Sequence, residues 1–391
     1  MRLGDCGKTN LHTYSDKEKW SLIRYLDTGS ITEGRIDEIQ TLYPGVDKIP
    51  SRARRKASVG DILFSTVRPN QKHYGIIEAG TENLLVSTGF TVVTVDTTIA
   101  DPYFIYYYLT QSSVIESLQA IAEQSTSTYP SIKPSDIEDI ELDLPELETQ
   151  KKIGSTLRML DRKIALNEEI NDNLEQQAQS YFQELFVDNA DPEWAIGTIS
   201  DLGTVVGGST PSKAKPEYYT ESGIAWITPK DLSINKSKFV SHGENDITEL
   251  GLKNSSAAIM PEGTVLFSSR APIGYIAIAA GEVTTNQGFK SVVPKPGIGT
   301  PFVYFFLKNT LPVIEGMASG STFKEVSGST MKNVPAVIPD AETLAKFSDF
   351  CAPIFAQQRI LEEQNQSLAT LRDNLLPKLM SGEIDVSDVQ L

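Results

Sequence analysis

An internal repeat constrains this sequence more than any other feature, because repeated segments fix an architecture before local propensities do. The string GDILFST at 60–66 recurs as GTVLFSS at 263–269, and Gly89-Phe90 recurs as Gly288-Phe289. Further along, the stretch at 127–145 matches the stretch at 321–339 without a gap. The chain is therefore predicted to be a tandem duplication in which each half is a domain followed by a helix.

The repeat divides the chain into four predicted segments. With 391 residues the chain is too long for one ordinary hydrophobic core, so each half can bury a core of its own. We expect a first variable domain at 1–145, a spacer helix at 146–187, a second variable domain at 188–339, and a C-terminal spacer helix with its tail at 340–391.

Both variable domains are predicted to be rich in β-strands. Apolar, strand-forming runs at Thr91–Val95 and Ile273–Ile278 lie beside glycines and prolines that mark turns. A short aromatic helix follows in each half, and Asp101 and Thr300 are predicted N-caps because a proline comes directly after each of them. The fold class is therefore α+β, with two tandem domains of mixed, β-rich fold.

The two helical segments carry a heptad pattern, in which apolar residues recur at alternating steps of three and four. Asn171 and Asn365 occupy equivalent positions of this pattern, where a polar residue fixes register at some loss of stability. The predicted seam residues are Ile153, Leu157, Leu160, Ile164, Asn171 and Leu174 in the first helix and Ile354, Leu361, Asn365, Leu368 and Leu375 in the second.

Two interpretations of the heptads remain open from spacing alone. The helices either pair with each other as a coiled coil, or each packs only on its own domain. Their length and their internal match favour pairing. Pro353 stands in the second helix where the first has Met159, and a proline inside a helix is expected to kink it.

A search for catalytic and metal-binding residues finds no candidate. Cys6 and Cys351 lie at opposite ends of the chain, and the three histidines are scattered. The string Gly7-Lys8-Thr9 lacks the first glycine of a phosphate-binding loop. We therefore predict no catalytic residue, no metal site and no cofactor on this chain.

The net charge of −16 at first argues against a nucleic-acid ligand, because neutralised phosphates supply most non-specific affinity. The distribution weakens that argument. Residues 146–193 carry 5 basic against 11 acidic side chains, whereas residues 1–75 carry 13 basic against 9 acidic ones. A locally basic face is therefore compatible with this composition. The two cysteines and the lack of long apolar runs predict a soluble, cytoplasmic protein.

Polar and basic residues in predicted loops are the candidate contacts to DNA. Arginine and lysine suit phosphates, and the amide and hydroxyl side chains suit base edges. For any single residue, ordinary solvated surface is the simpler interpretation, but the grouping in a duplicated, non-catalytic chain favours binding. The candidates are Arg52, Arg54, Arg55, Lys56, Arg68, Asn70, Gln71 and Lys72 in the first half and Ser209, Thr210, Lys213, Lys215, Lys230, Arg270, Asn286 and Gln287 in the second.

Five strings together resemble the specificity subunit of type I restriction-modification systems over nearly the full length of the chain. LPELETQKKI at 144–153, LDRKI at 160–164 and NEEIN at 167–171 are similar to that family's central helix. WITPKDL at 226–232 and TNQGF at 285–289 are similar to parts of its target-recognition domains.

The resemblance implies a DNA-reading subunit without catalysis of its own. Each variable domain would be a target-recognition domain that reads one half of a split site in double-stranded DNA, and the helices would pair antiparallel as a spacer. Two methylation subunits and a restriction and translocation subunit would be its protein partners. S-adenosylmethionine, ATP and magnesium would bind to those partner chains.

Two rival classes stay open. A self-contained DNA methyltransferase or nuclease would need a cofactor or metal motif, which the search did not find. A coiled-coil scaffold that binds only proteins would suit the acidic helices but would leave the duplicated β-rich domains without a purpose.

Overall fold

A computed structural model describes residues 1–80, 82–125, 129–320 and 324–387. The repeat residues at 127–128 and 321–323 and the end of the predicted tail at 388–391 lie outside the described residues. The chain forms two units. Unit 1 comprises 1–164 with 367–391, and unit 2 comprises 165–366. Each long helix therefore contributes residues to both units.

The described residues of unit 1 form ten short strands. Nine of the ten have four or fewer residues, as expected for a β-rich domain punctuated by glycine and proline. The strands are β1 (Gly7–Thr9), β2 (Ile23–Leu26), β3 (Ile31–Thr32), β4 (Arg35–Ile36), β5 (Gln40–Leu42), β6 (Ala53–Lys56), β7 (Ile62–Ser65), β8 (Tyr74–Ile76), β9 (Leu84–Ser87) and β10 (Phe90–Val95).

The helices of unit 1 are short until the long helix begins. Asp101 caps α2 as predicted, because its carboxylate accepts a hydrogen bond from the Phe104 amide at 2.9 Å and Pro102 follows it. The helices are α1 (Leu3–Cys6), α2 (Pro102–Leu109), α3 (Ser112–Glu123), α4 (Pro134–Glu138) and α5 (Leu147–Gln183), and one π-helical turn follows at Glu184–Asp188.

Two four-stranded sheets and one small hairpin form the β-structure of unit 1. The first sheet has the order β1-β10-β7-β8 and is antiparallel throughout. The second has the order β5-β2-β9-β6, with a parallel pair between β2 and β9. All four residues of β7 are buried, which explains why its sequence is an unbroken apolar run instead of an alternating one. The predicted strand at Thr91–Val95 is confirmed as β10.

The described residues of unit 2 repeat this plan with eleven strands. The predicted strand at Ile273–Ile278 is confirmed within β18. The strands are β11 (Ala195–Thr198), β12 (Gly203–Gly207), β13 (Tyr219–Thr220), β14 (Ile224–Ile227), β15 (Phe239–Val240), β16 (Asp246–Ile247), β17 (Val265–Ser269), β18 (Ile273–Ala279), β19 (Thr284–Thr285), β20 (Lys290–Pro294) and β21 (Pro335–Ile338).

The sheets of unit 2 have the orders β12-β20-β17-β18-β15, β13-β16-β14-β19 and β11-β21. The pairing of β12, β20, β17 and β18 corresponds to that of β1, β10, β7 and β8. The helices are α6 (Ile199–Leu202), α7 (Pro229–Ile234), α8 (Glu249–Lys253), α9 (Thr300–Gly316), α10 (Gly328–Lys332) and α11 (Ala341–Met380).

The duplication extends to individual hydrogen bonds. In unit 1 the Thr66 amide donates to Gly89 O at 2.8 Å, and in unit 2 the Ser269 amide donates to Gly288 O at 2.7 Å. The short helix and strand at residues 3–9 also have a counterpart at 199–207. In each copy the aspartate three residues after the N-cap accepts a hydrogen bond of 2.8 Å from the backbone amide of the N-cap residue: Asp5 from Arg2, and Asp201 from Thr198. Sequence analysis missed this second repeat because only the pattern x-x-Asp-x-Gly is shared.

One prediction about the helix ends was wrong. Thr300 is the first residue of α9 and not its N-cap, because Gly299, with φ +82°, precedes the helix and Thr300 Oγ1 donates to Gly263 O at 2.7 Å. The proline at 353 lies within α11, which is continuous from Ala341 to Met380, and the kink expected there stays a prediction.

Candidate nucleic-acid interface

In unit 2 the sheet brings the two characteristic strings of the second half together. Strand β14 pairs in parallel with β19, so that Trp226 lies opposite Thr284 and Ile227 opposite Thr285. The backbone amide of Asn286 then donates to the backbone oxygen of Ile227 at 3.0 Å. Residues 226–232 and 285–289 therefore lie next to each other, although they are distant in sequence. Lys230 and Gln287 are exposed there, whereas the strand residues beside them are buried.

A third segment joins them. The Ser209 amide donates to Thr285 O at 2.8 Å, and the Trp226 indole donates to Ser209 O at 2.9 Å. Thr210 donates through its hydroxyl to the Gln287 side chain. The backbone comes this close because residue 208 is glycine: a Cβ there would lie 1.9 Å from Asn286 O. Four predicted residues, Ser209, Thr210, Asn286 and Gln287, thus lie together.

Three of the predicted cations of unit 2, Arg270, Lys230 and Lys215, have acidic partners. Arg270 Nη1 is 3.7 Å from Glu325, which is also 3.8 Å from Lys290 Nζ. Burial lowers the pKa of Lys290. Lys230 lies in α7, not in a loop as predicted, and its ammonium is 2.6 Å from Glu244.

Lys213 and Lys215 occupy an exposed loop before β13. Lys215 Nζ lies 3.7 Å from Glu217. Both ammonium groups extend into solvent, where a phosphate can reach them.

In unit 1 the basic run at 52–56 does not form the predicted loop. Arg54, Arg55 and Lys56 belong to strand β6, which pairs with β9, and all three are half-buried. The Arg55 guanidinium donates to Asn10 Oδ1 and to the backbone oxygen of Phe90, and burial lowers its pKa. Arg55 therefore has protein partners where a phosphate contact was predicted.

Lys56 and Arg52, on either side of Arg55, have different surroundings from it. The Lys56 ammonium pairs with Glu18 and lies 5.3 Å from the centre of the Trp20 ring. Arg52 is exposed at the start of this segment. Beside it lies a groove of about 490 Å³, lined by Tyr14 and Trp20 and by Lys19 and Arg54 among others.

The second basic group of unit 1 lies on one tight turn. Pro69–Gln71 form a 3-10 turn that is flanked by Arg68 and Lys72, both with positive φ (48° and 57°). Arg68 lies 5.0 Å from the centre of the Tyr129 ring, and Lys72 is 2.6 Å from Glu33. Asn70 and Gln71 are exposed on the same turn, so the four predicted residues at 68 and 70–72 lie together at the surface.

The long helices meet within unit 1 through an ion pair. Arg372 of α11 lies 2.7 Å from Asp161 of α5, and the Tyr107 hydroxyl of α2 donates to the same carboxylate at 2.6 Å. Ile153 and Leu157 share an apolar cluster with Leu379. The start of α5 therefore contacts the end of α11.

Within unit 2 the two helices contact each other near their middles and at their other ends, where the ring centres of Phe182 and Phe347 are 5.9 Å apart. The Asn167 side chain donates to Asn365 Oδ1 at 2.8 Å, and the Gln358 side chain donates to Asn171 O at 3.2 Å. Every predicted seam residue is at least half-buried: Ile153, Leu157, Ile354 and Leu361 are buried, and Leu160, Ile164, Asn171, Leu174, Asn365, Leu368 and Leu375 are half-buried.

Several contacts between the domains and the helices escaped sequence analysis. Glu78, in a loop of unit 1, accepts from Arg158 of α5 at 2.9 Å. In unit 2 the Lys238 ammonium lies 2.8 Å from Glu175 of α5. Nothing in the local sequence distinguishes Lys238 from its neighbour Lys236, because burial is a property of the tertiary fold.

Within the described ranges, no group of three or more His, Cys, Asp and Glu residues is arranged to hold a metal ion. Across the same ranges, none of the helices combines the length and apolar character needed to span a bilayer. Both cysteines are buried, and burial raises the pKa of each thiol, that of Cys351 to about 12.

The sequence profile of the type I restriction modification DNA specificity domain matches this chain twice, at residues 53–176 and 192–371. The two matches coincide with the two halves of the duplication and cover most of the chain. The chain belongs to this family. It is a specificity subunit of a type I restriction-modification system, which is the non-catalytic component that recognises DNA.

Individual relatives agree with this assignment. The specificity subunit of the type I restriction enzyme HindI from Haemophilus influenzae is 25% identical, with 98% of each chain covered. The MjaIX specificity subunit from Methanocaldococcus jannaschii is 39% identical over 47% of this chain and 45% of its own. The solved specificity subunit from M. genitalium has the same fold, with a TM-score of 0.59 at 17% identity, covering 97% of this chain and 95% of the other.

Proposed function

We propose that each unit reads one half of a bipartite site in double-stranded DNA and that the two long helices pair antiparallel as a coiled-coil spacer. The observation that carries this proposal is a duplicated backbone hydrogen bond. It joins Thr66 to Gly89 in unit 1 and Ser269 to Gly288 in unit 2. Two copies of one structural element in a DNA specificity subunit supply two readers of the same design.

The polar surface supports the same proposal. In unit 2 the side chains of Ser209, Thr210, Asn286 and Gln287 supply the hydroxyl and amide groups that read base edges in the major groove. The exposed cations Arg52, Lys213 and Lys215 suit phosphate contacts, which position a protein on DNA without discriminating sequence.

The helix contacts support antiparallel pairing. In unit 1 the beginning of α5 contacts the end of α11, where Ile153 and Leu157 pack with Leu379. In unit 2 the end of α5 contacts the beginning of α11, where the ring centres of Phe182 and Phe347 are 5.9 Å apart. The paired asparagines Asn167 and Asn365 lie at a half-buried seam, where a polar pair specifies register.

The partners follow from the same role. We expect methylation subunits, in two copies, to dock against the paired helices, and a restriction and translocation subunit to join them. S-adenosylmethionine, ATP and magnesium then belong to those chains. We expect the assembly to act in the cytoplasm, where the DNA is.

A domain exchange tests the two-reader proposal. Replacing residues 1–145 with the same region of a related subunit should change one half of the methylated motif, while the other half and the gap stay the same. Separate cores couple weakly, so their base contacts add almost independently. The measurement is modification-sensitive sequencing of DNA methylated by the chimera with its methylation subunit.

The reciprocal exchange of residues 188–339 is the matched control and should change the other half alone. An exchange of one domain that altered both half-sites would show that recognition is shared, and the two-reader proposal would be wrong.

A further inference from the structure

A lysine of the second recognition domain is buried between the two long helices. The Lys238 side chain is 7% exposed, and its ammonium lies 2.8 Å from Glu175 of α5 and 2.9 Å from the Gln358 side chain of α11. The ammonium nitrogen lies 3.4 Å from the centre of the Phe355 ring and 4.5 Å from the centre of the Tyr304 ring. One side chain of the domain is therefore bonded to both helices at once.

The backbone of the same segment is held as well. The Glu362 carboxylate of α11 accepts the amide of Lys238 at 2.7 Å and the amide of Phe239 at 3.0 Å. Strand β15, which begins at Phe239, pairs with β18 of the central sheet. The segment thus connects the helix surface rigidly to the sheet of the domain.

The other end of the segment leads to the candidate DNA surface. Lys238 follows helix α7, whose first residue Pro229 lies so close to Gly288 that a Cβ on that glycine would be 2.9 Å from the proline ring. Residues 226–232 and 285–289 belong to the surface described above. Lys238 is therefore linked through α7 to the part of the domain that carries this surface.

Stability alone does not account for a lysine at this position. Burying two charges requires desolvation that their attraction only roughly offsets, and a well-packed apolar pair would often be as stable. What a buried ion pair adds is geometry, because only one arrangement keeps both charges compensated.

We infer that Lys238 is a positioning residue, which with Glu175 and Gln358 fixes the orientation of the second recognition domain on the long helices and so limits the gap between half-sites that the complex accepts. The inference rests on the proposed two-reader function. It adds the identity of the side chains that limit the accepted gap between half-sites.

The charged and titratable groups around Lys238 make the idea testable by pH. They are Glu175 of α5, Tyr304 and Lys308 of α9, and Cys351 and Glu362 of α11. Burial lowers the pKa of Lys238 from 10.5 to about 8, although Glu175 opposes that effect. The pKa of Cys351 is raised to about 12 and that of Tyr304 is raised by burial, so neither titrates near pH 8.

The sign of the pH effect separates positioning from stability. Above pH about 8 the folded protein has lost the Lys238 proton while the unfolded chain keeps it, so this group makes folding more favourable as pH rises towards 10.5. The contact with Glu175 weakens over the same range. Spacing selectivity should therefore fall with pH while this group's contribution to stability rises.

The experiment uses the full chain assembled with its methylation subunit. The methylated motif is determined first, and binding is then measured on duplexes that carry both half-sites with the native gap or with the gap changed by one base pair. In Lys238→Met the preference for the native gap should fall at least about fivefold, while the bases read stay the same. Lys236→Met, an exposed lysine two residues away, is the matched control and should behave as wild type.

The wild-type protein provides a second arm that needs no variant. Its preference for the native gap should decrease from about pH 7 to about pH 9, and that of Lys238→Met should not change. An undiminished preference in a folded Lys238→Met variant, or a flat wild-type profile, would overturn the inference. A wild type without any gap preference would instead contradict the proposed two-reader function, and the inference with it.

Discussion

Each unit has an ion pair at the long helices, and the two pairs differ in burial. The pair of unit 1 joins α5 to α11, whereas the pair of unit 2 joins the domain to α5. In unit 1 the pair Asp161–Arg372 remains about one third exposed, with side-chain exposures of 32% and 27%. In unit 2 the pair Glu175–Lys238 is exposed by only 21% and 7%, and Glu175 also compensates Lys308 at 2.6 Å. The ion pair at the helices is thus partly solvated in one half and buried in the other.

The difference shows how burial, more than distance, sets the importance of an ion pair. Both pairs have nearly equal separations, 2.7 and 2.8 Å. Water screens the first pair and can replace a lost partner, whereas a partner lost from the second leaves a charge uncompensated in a low-dielectric interior. Unit 2 should therefore be far more sensitive to loss of a single charge.

The largest expected effect is that of Glu175→Gln. The substitution keeps the shape but leaves two ammonium groups, Lys238 and Lys308, without their carboxylate. The free energy of unfolding of unit 2 should fall by about 3–5 kcal/mol. Chemical denaturation followed by the fluorescence of Trp226 in unit 2 measures it, with the exposed Glu169→Gln as control. A loss below about 1 kcal/mol would contradict the assigned importance of burial.

The next effect concerns the backbone packing of unit 2. In Gly208→Ala the new methyl group would meet Asn286 O at 1.9 Å, so the loop carrying Ser209 and Thr210 must move. We expect a loss of about 1–3 kcal/mol, as for other overpacked sites, together with weaker DNA binding. Gly207→Ala is the matched control, because its nearest neighbour would be 4.0 Å away. Equal effects of the two substitutions would refute the steric argument.

A smaller effect is expected from Asp161→Asn in unit 1. The partly exposed Arg372 can turn to water, and Asp373 lies 2.8 Å from it as a second partner. The free energy of unfolding of unit 1 should fall by about 1 kcal/mol. Trp20 in unit 1 reports this transition. A loss as large as that of Glu175→Gln would remove the contrast between the two ion pairs.

The smallest effect is on the salt dependence of DNA binding, and it tests whether both units contact phosphates alike. Arg52→Ala in unit 1 and Lys213→Ala in unit 2 should each reduce the slope of log affinity against log salt by about 0.9. Arg55→Ala should leave the slope unchanged and lower stability instead, because its guanidinium bonds to Asn10 and Phe90. A reduced slope in Arg55→Ala would return that residue to the DNA surface.

Sequence alone was sufficient for the plan of the molecule. The repeat at 60–66 and 263–269 predicted two copies of an α+β domain, and strands β7 and β17 lie at those positions. Heptad spacing predicted two long helices, which the structure places at Leu147–Gln183 and Ala341–Met380. These features can be predicted from sequence because periodicity is a local pattern and a repeat is found by comparing the chain with itself. Every residue of such a pattern supports the prediction.

Tertiary structure alone decided which side chains do what. Arg54, Arg55 and Lys56 look equivalent in sequence, yet strand pairing turns the Arg55 guanidinium inward. Lys236 and Lys238 are likewise indistinguishable, but only Lys238 is buried against Glu175 and Gln358. The physical reason is that the environment of a charged side chain is made by residues far away in the chain, here 63 and 120 positions from Lys238, and a local pattern carries no information about them.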